Sequence, residues 1–498
     1  MLLRNSLWNV TGSALPAIAA LASVPLLIAA LGVEGFGIVT IVSSIVGYFA
    51  VLDVNLSAGA MKYLAETHAA GDRRRFAETF WFGTFFYGAL GLVGATAIFF
   101  GAHWLTIHLF DLPVSSRAAA VLALKIGAVG FALTQAQNYL IVVPQALQRY
   151  DRSAQSEAFF GVVVNVISVL AALAGGGIAG VIAARVVVSL LNVLYLLILV
   201  NNLDVDLRFC WPRKEVRKAL TSFSAYAYLS KVAATMHQHG DKLIIGALAG
   251  PVALTFYTVP ATLAGRILGL TYRLSSVIYP RASALAGSKR MHELRPIYLG
   301  AMRYVTYINV IALGVIVLAG DEFLRHWVGE EFVAQGYPVL VIMTVASLVD
   351  SLTNIPSMVN DALGHPRISG RFALARGIFG VGLVYLGVTT AGIVGASIAH
   401  LITAIVMSGL FVMYVHGRTI PISLRDVMRK GAGRSLLIGM LIFGLLFPIK
   451  YWIPRDLTNT LLIVSAAILT LAYAGFHYVV SVDERARLFA IARRLRSQ

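Results

Sequence analysis

Lys231, Thr235, Gln238 and Lys242 recur at intervals of four, three and four residues, so a helix would carry all four on one face. Thr262, Arg266, Gly269 and Arg273 repeat the spacing in the next apolar segment. Counting about 1.5 Å per residue from the nearest charged break puts Lys231 roughly 18 Å into its segment, with Arg266 at similar depth. A side chain that deep does not snorkel out easily. The first reading is a pair of basic stripes lining a water-accessible cavity and binding an anion. The competing one is burial in local ion pairs, for instance with Asp241. Arg185 and His400 stand nearer the other end of their segments, where a structural role competes equally with cavity lining. Lys125 is a weaker candidate, and Lys62 and Arg303 are expected to snorkel. Among the acids, Asp53 shares a face with Ser57, and Asp350, Asn354, Ser357 and Asp361 form a second stripe. These carboxylates suit counter-ions to the cations, or alternatively a proton-coupling group or a sodium ligand set.

The elements that must carry these residues follow from composition. The chain has 498 residues, is 58% hydrophobic and 13% charged, and has a mean hydropathy of +0.79. Apolar stretches long enough to span a bilayer recur from end to end, which excludes an ordinary soluble enzyme. Blocks such as LGLVGATAIFF and LLNVLYLLILV are apolar on every side, so the spans are helices rather than barrel strands. Breaks at charged and Gly/Pro-rich points divide the chain into about fourteen spans. They fall near 7–31, 36–64, 78–101, 117–145, 155–174, 178–200, 219–248, 252–281, 298–319, 336–362, 369–389, 391–414, 433–452 and 457–480. The first is read as an uncleaved helix rather than a signal peptide, because its apolar run is about span length.

The net charge of +17 is largely a matter of topology rather than of nucleic acid. One set of loops holds most of the arginines and lysines, whereas the other has only Arg117, Arg325, Lys450 and Arg455. The asymmetry predicts both termini in the cytoplasm. An internal repeat organises the spans. GIAGVIAARV at 177–186 aligns with GIVGASIAHL at 392–401, an offset of 215, and shorter matches recur at 216 and 218. Arg185 thereby corresponds to His400. The expected organisation is an N-terminal six-helix lobe (1–201), an inter-lobe loop (202–218) and a C-terminal six-helix lobe (219–416). A loop with two extra helices (417–480) and a basic amphipathic tail (481–498) follow. An even number of spans per repeat relates the lobes by an axis along the membrane normal.

Hydrolytic and metal chemistry have no foothold. His237 and His239 are two residues apart and cannot share a metal from one helix, no Cys/His set completes a zinc site, and no glycine loop carries the Lys and Ser/Thr of a phosphate-binding loop. The expectation is neither an enzyme nor a cofactor-bearing protein. The only cysteine, Cys210, allows no internal disulfide.

Four segments resemble the Wzx-type polysaccharide flippases of the MOP (multidrug/oligosaccharidyl-lipid/polysaccharide) exporter superfamily: LGVEGFGIVTIVSSIVGYFAVLDVNLSAG at 31–59, FLRHWVGEEFVAQGYPVL at 323–340, ALGHPRISGRF at 362–372 and AGIVGASIAHLI at 391–402. The resemblance covers the first twelve spans. It implies two six-helix lobes around a cationic cavity, in the cytoplasmic (inner) membrane of a bacterium. The cargo it implies is a polyprenyl-pyrophosphate-linked oligosaccharide, moved to the periplasmic leaflet for O-antigen or exopolysaccharide synthesis, with polymerase and export proteins as further partners. The pyrophosphate is then expected at Lys231, Arg266 and Arg273, with Lys242, Arg185 and His400 as further candidates. A MATE-type multidrug antiporter is the nearest rival, although its cationic substrates suit an acidic or aromatic cavity. A lipid II flippase is a closer variant, and a membrane glycan polymerase or ligase the enzymatic one.

Overall fold

The computed structural model describes residues 2–53, 56–203, 205, 207–276, 278–288, 290–452, 456–481, 484 and 485. Their regular structure is helical throughout. In chain order the helices are α1 (Leu2–Tyr48), α2 (Leu56–Ala69), α3 (Arg73–Trp104), α4 (Val114–Leu140), α5 (Val142–Ala146) and α6 (Tyr150–Leu173). Next come α7 (Gly177–Asn201), α8 (Lys214–Ser276), α9 (Ile278–Gly287), α10 (Leu294–Val328), α11 (Glu331–Ser351) and α12 (Asn354–Ala362). The last are α13 (Pro366–Thr403), α14 (Gly409–Arg418), α15 (Leu424–Asp426), α16 (Ala432–Trp452) and α17 (Leu457–Ala474). Among the described residues, 11 helical stretches are long and apolar enough to cross a membrane, so the chain is a multi-pass membrane protein. Three of the long helices each cover two expected spans and bend between them, at Gly32 in α1, Gly250 in α8 and Ala391–Gly392 in α13.

These bends carry the repeat into the backbone. Gly32 and Gly250 have φ of +73° and +81°, and Gly177 and Gly392 are both at +57°. Asp111 pairs likewise with Gly329, and Gln148 with Gly364, all four with positive φ. The offsets are 215 to 218 residues, those of the sequence matches. Left-handed backbone is costly for residues other than glycine, so its recurrence at one spacing marks equivalent turns in the two copies.

Three expected spans are broken part-way, two of them three residues before a proline (Pro144, Pro356) that has no N–H for the carbonyl four residues back. The span near 36–64 stops at Tyr48, tightens into a 3-10 turn at Phe49–Leu52 and resumes as α2. The span near 117–145 is interrupted at Ile141, and that near 336–362 at Leu352–Thr353. The last break corrects the acidic stripe: Asp350 lies in the last turn of α11 while Asn354, Ser357 and Asp361 belong to α12, so the four do not share one continuous helix face. The Thr353 hydroxyl donates to the Asp350 carbonyl at 2.7 Å and holds that turn.

The chain forms two compact units, residues 1–255 with 373–393, and residues 256–372 with 394–498. Unit 1 thus holds 202–255 and 373–393 together with the first six expected spans. Within it α1 packs on α6, α4 and α7, and α3 lies along α4. The α3–α4 approach is close because Gly83 leaves room for the Tyr139 ring, which any Cβ there would strike. In unit 2, α10 is the hub, flanked by α11, α16 and α17. Gly314 on α10 receives Phe443 of α16, and Gly439 on α16 receives Val310 of α10, a reciprocal small-to-large fit that lets the two helices touch. The expected amphipathic tail lies outside the described residues beyond Arg485, as do Lys289 and Arg455.

Candidate substrate-binding site

Asp53 stands at the break between the 3-10 turn and α2, with extended backbone (φ −71°, ψ 107°). Its side chain is 3% exposed, and a carboxylate so deeply buried needs hydrogen bonds and a counter-charge. The Tyr87 hydroxyl on α3 donates to Asp53 Oδ1 at 2.8 Å and accepts from the Ser57 backbone N–H at 3.0 Å. It thus links the carboxylate to the first turn of α2, where the positive end of the helix dipole favours negative charge. Tyr87 is itself stacked on Tyr139, with ring centroids 5.3 Å apart, and the Tyr139 hydroxyl donates to the Phe80 carbonyl at 2.9 Å.

Lys231 on α8 supplies the counter-charge. Its Nζ lies 3.9 Å from Asp53 Oδ2, and its side chain is 33% exposed. That distance is an ion pair and not a hydrogen bond. Among the described residues the Lys231 ammonium donates no hydrogen bond, so its three donors stay available to a ligand while Asp53 offsets part of its charge. Asp53 and Lys231 thus form an ion pair.

The remaining candidates divide by how far their charge is already committed. Arg185 on α7 donates from Nη1 to Ser43 Oγ of α1 at 3.0 Å and from Nε to Ser168 Oγ of α6 at 3.2 Å. Among the described residues no carboxylate lies within ion-pair distance of it. Lys242, by contrast, donates to the Gln238 carbonyl at 2.5 Å and lies 3.6 Å from Asp241, so it is bound up locally. The expected stripe is uneven as well, since Thr235 is buried and Gln238 exposed. Arg266 is exposed and belongs to unit 2, whereas the Arg273 side chain lies outside the described residues. His400 lies over Tyr257, ring centroids 6.4 Å apart and nearly parallel. Asp350 accepts from Ser408 Oγ at 3.1 Å. Asp361 accepts from Ser369 Oγ at 2.6 Å and Asn360 Nδ2 at 3.3 Å, bonds that fasten the step between α12 and α13.

Several charged groups escaped the sequence reading because their partners are remote in the chain. Lys450, expected in an outside loop, is buried 2.7 Å from Asp321. Arg303, expected to snorkel, lies 3.0 Å from Glu484. The Glu484 carboxyl feels burial, which would raise its pKa, but hydrogen bonds from Ser481 and Tyr304 and the Arg303 charge hold it below the usual glutamate value. Glu78 is fully buried and takes Arg213 Nε at 2.8 and 3.0 Å and Arg74 Nε at 3.3 Å. The Glu78 hydrogen bond raises the pKa of Arg213 above its ordinary value and keeps it charged. A cavity of ≈ 410 Å³ opens beside Arg213, but Glu66, Asp72 and Glu215 line it together with Arg75. Such mixed charge does not make an anion site.

A polytopic helical fold with a two-fold internal repeat and broken helices is an architecture built by many membrane transporters. The chain belongs to the polysaccharide biosynthesis protein family, whose model matches residues 28–335. It is 24% identical over 426 residues to the putative O-antigen transporter of Shigella flexneri, covering 84% of this chain and 98% of that protein. It is also 20% identical over 239 residues to the probable low-salt glycan biosynthesis flippase Agl15 of Haloferax volcanii, about half of each chain (48% and 50%). Among solved structures it resembles the lipid II flippase MurJ in an inward closed conformation, with a TM-score of 0.75 at 11% identity over 95% of this chain and 98% of that one. An inward-facing MATE family transporter of the MOP superfamily follows the same fold, with a TM-score of 0.69 at 15% identity over 82% and 98%. The resemblance to Wzx-type flippases of the MOP superfamily is thereby borne out, and these relatives are transporters rather than enzymes.

Proposed function

We propose that the protein flips a polyprenyl-pyrophosphate-linked oligosaccharide from the cytoplasmic to the periplasmic leaflet of a bacterial inner membrane, both termini being cytoplasmic. The transported unit feeds polysaccharide synthesis. Family membership supports the glycan, and the described relative's role as an O-antigen transporter supports a lipid-linked one. The observation that carries the reading is Lys231, an ammonium roughly 25 Å along α8 from Lys214, partly exposed and with no hydrogen bond spent among the described residues. Arg185, held by two hydroxyls and with no carboxylate within ion-pair distance among the described residues, is a second candidate cation. Both suit pyrophosphate oxygens, which accept charge-assisted hydrogen bonds from ammonium and guanidinium donors. Arg266 and Arg273 are proposed as further pyrophosphate ligands, with Asp53 and Asp350 as counter-ions.

Alternating access between the repeat-related halves, 1–201 and 219–416, would move the glycan and pyrophosphate while the lipid tail stays in the bilayer. An inside-negative potential helps, since expelling about two negative charges across 100 mV yields roughly 4 to 5 kcal/mol. Proteoliposomes loaded with a fluorescent lipid-pyrophosphate glycan test the reading. Lys231→Ala, Arg185→Ala and Arg266→Ala are each expected to slow translocation at least tenfold. Wild-type rates in all three would discard the cation assignment, and wild-type protein that moves no such lipid would discard the function.

A further inference from the structure

The segment joining the two repeats does not hang free of α3. The Trp81 indole N–H donates to the Leu207 carbonyl at 3.1 Å. Phe209 lies edge-on to Trp81 at 5.2 Å and to Phe85 at 6.1 Å, and Trp211 sits 5.7 Å from Phe85. Cys210 Sγ approaches the Arg74 carbonyl at 3.9 Å, and Arg213 is clamped on Glu78. Trp81 and Phe85 are eight and twelve residues past Arg73, or roughly 12 and 18 Å along the helix. Residues 207–213 therefore lie along the flank of the first three turns of α3. Although packed on α3, Phe209 is 63% and Trp211 69% exposed.

What faces these rings follows from their neighbours. Phe85, Leu92, Val93 and Phe100 are exposed farther along α3, on a helix apolar and long enough to cross the membrane, and this outward face meets lipid chains. Phe209 and Trp211 continue it toward its basic end, where Arg73 and Arg74 stand exposed at the start of α3, and Arg208 is exposed in the segment itself. Aromatic rings at the headgroup boundary with arginines at the phosphates are the pattern by which a segment lies in a bilayer surface.

The geometry points to residues 207–213 as an interfacial anchor, with Phe209 and Trp211 inserted below the phospholipid headgroups and the adjacent arginines on their phosphates. Because α8 begins at Lys214, directly after the Arg213 clamp, the anchor sets the depth at which the helix bearing Lys231 enters the membrane. The inference needs only that the chain spans the bilayer and is independent of the cargo.

A nitroxide at Phe209→Cys in a Cys210→Ser background reads it out in vesicles of phosphatidylethanolamine and phosphatidylglycerol. A second label on native Cys210, with no substitution, guards against a folding defect in the first. Ser288→Cys with Cys210→Ser, on an exposed turn after α9, is the aqueous reference. Both anchor labels should collide readily with oxygen and several-fold less than the Ser288 label with a water-soluble nickel chelate. Nickel collision equal to the reference would place the segment in water, and shielding from both agents would mean that protein covers it. Either outcome overturns the anchor.

Discussion

The Lys450 ammonium of α16 and the Asp321 carboxylate of α10 form an ion pair of 2.7 Å with both groups buried. Lys450 also donates to the Val317 carbonyl at 3.2 Å and lies 4.9 Å from the Tyr337 ring centroid. This set fastens the first of the two extra helices to the hub of unit 2. Removing one partner strands the other charge, which costs about 3–5 kcal/mol for buried pairs. Lys450→Met should therefore lower the thermal midpoint in detergent strongly, whereas Lys450→Met with Asp321→Leu should recover most of it. Equal midpoints for the single and double variants would show that the pair does not hold α16.

The same helix pair depends on the absence of a side chain at Gly314. Its missing Cβ is the space that Phe443 occupies, and overpacking of this kind costs typically about 1–3 kcal/mol. Gly314→Ala is expected to destabilise the protein, and adding Phe443→Leu to relieve part of the loss. Thermal unfolding monitored by intrinsic fluorescence checks both, and a Gly314→Ala protein as stable as wild type would refute the close fit.

What could be read from the sequence was what depends on local chemistry. The bends at Gly32, Gly250 and Gly392 fall where glycine interrupts apolar runs, with Glu34 near the first and Pro251 after the second, and the repeat offset recurs in their φ angles. Lys231 is legible as a candidate because depth and helical spacing are local counts. The break at Asp53 is not legible in the same way, because no proline stands near it and Gly47 before it is followed by an unbroken apolar run, YFAVL. The break is tied to Tyr87, 34 residues away. Lys450 and Arg303 were misjudged for the same reason, since Asp321 is 129 residues from the first and Glu484 181 from the second. A single charge within a span shows that a partner is needed, but not which distant residue provides it.

Glu484 gives a pH prediction whose sign follows from its depressed pKa. A carboxylate held below its unfolded value adds stability that is fully present above that value and disappears as pH falls through the lower, folded one. The contact with Arg303 and Tyr304 should therefore survive at the pH where a free glutamate is half protonated and loosen only in stronger acid. A label at Ser481→Cys would disturb the cap, so it belongs at the neighbouring Arg485→Cys with Cys210→Ser. Its mobility should rise at lower pH in the parent than in Arg303→Gln. Identical midpoints would remove Arg303 from the contact.

Asp53 and Lys231 yield the sharpest test of the candidate site, because the carboxylate and a pyrophosphate compete for one ammonium. At 3.9 Å, Asp53 attracts Lys231 by up to about 4 kcal/mol at an effective dielectric of 20, with solvent at the part-exposed lysine lowering that figure. Asp53→Asn keeps an acceptor for Tyr87 and removes the competing charge. It should tighten binding of a short-chain polyprenyl pyrophosphate by about tenfold, or about 1.4 kcal/mol, while Lys231→Ala should weaken it. The double variant should bind like Lys231→Ala alone, since Asp53 acts on the ligand through the lysine. Calorimetric titration in detergent separates the cases: tighter binding by Asp53→Asn that persists without Lys231 would mean that Asp53 repels the ligand directly, and the two residues would then be independent parts of the site.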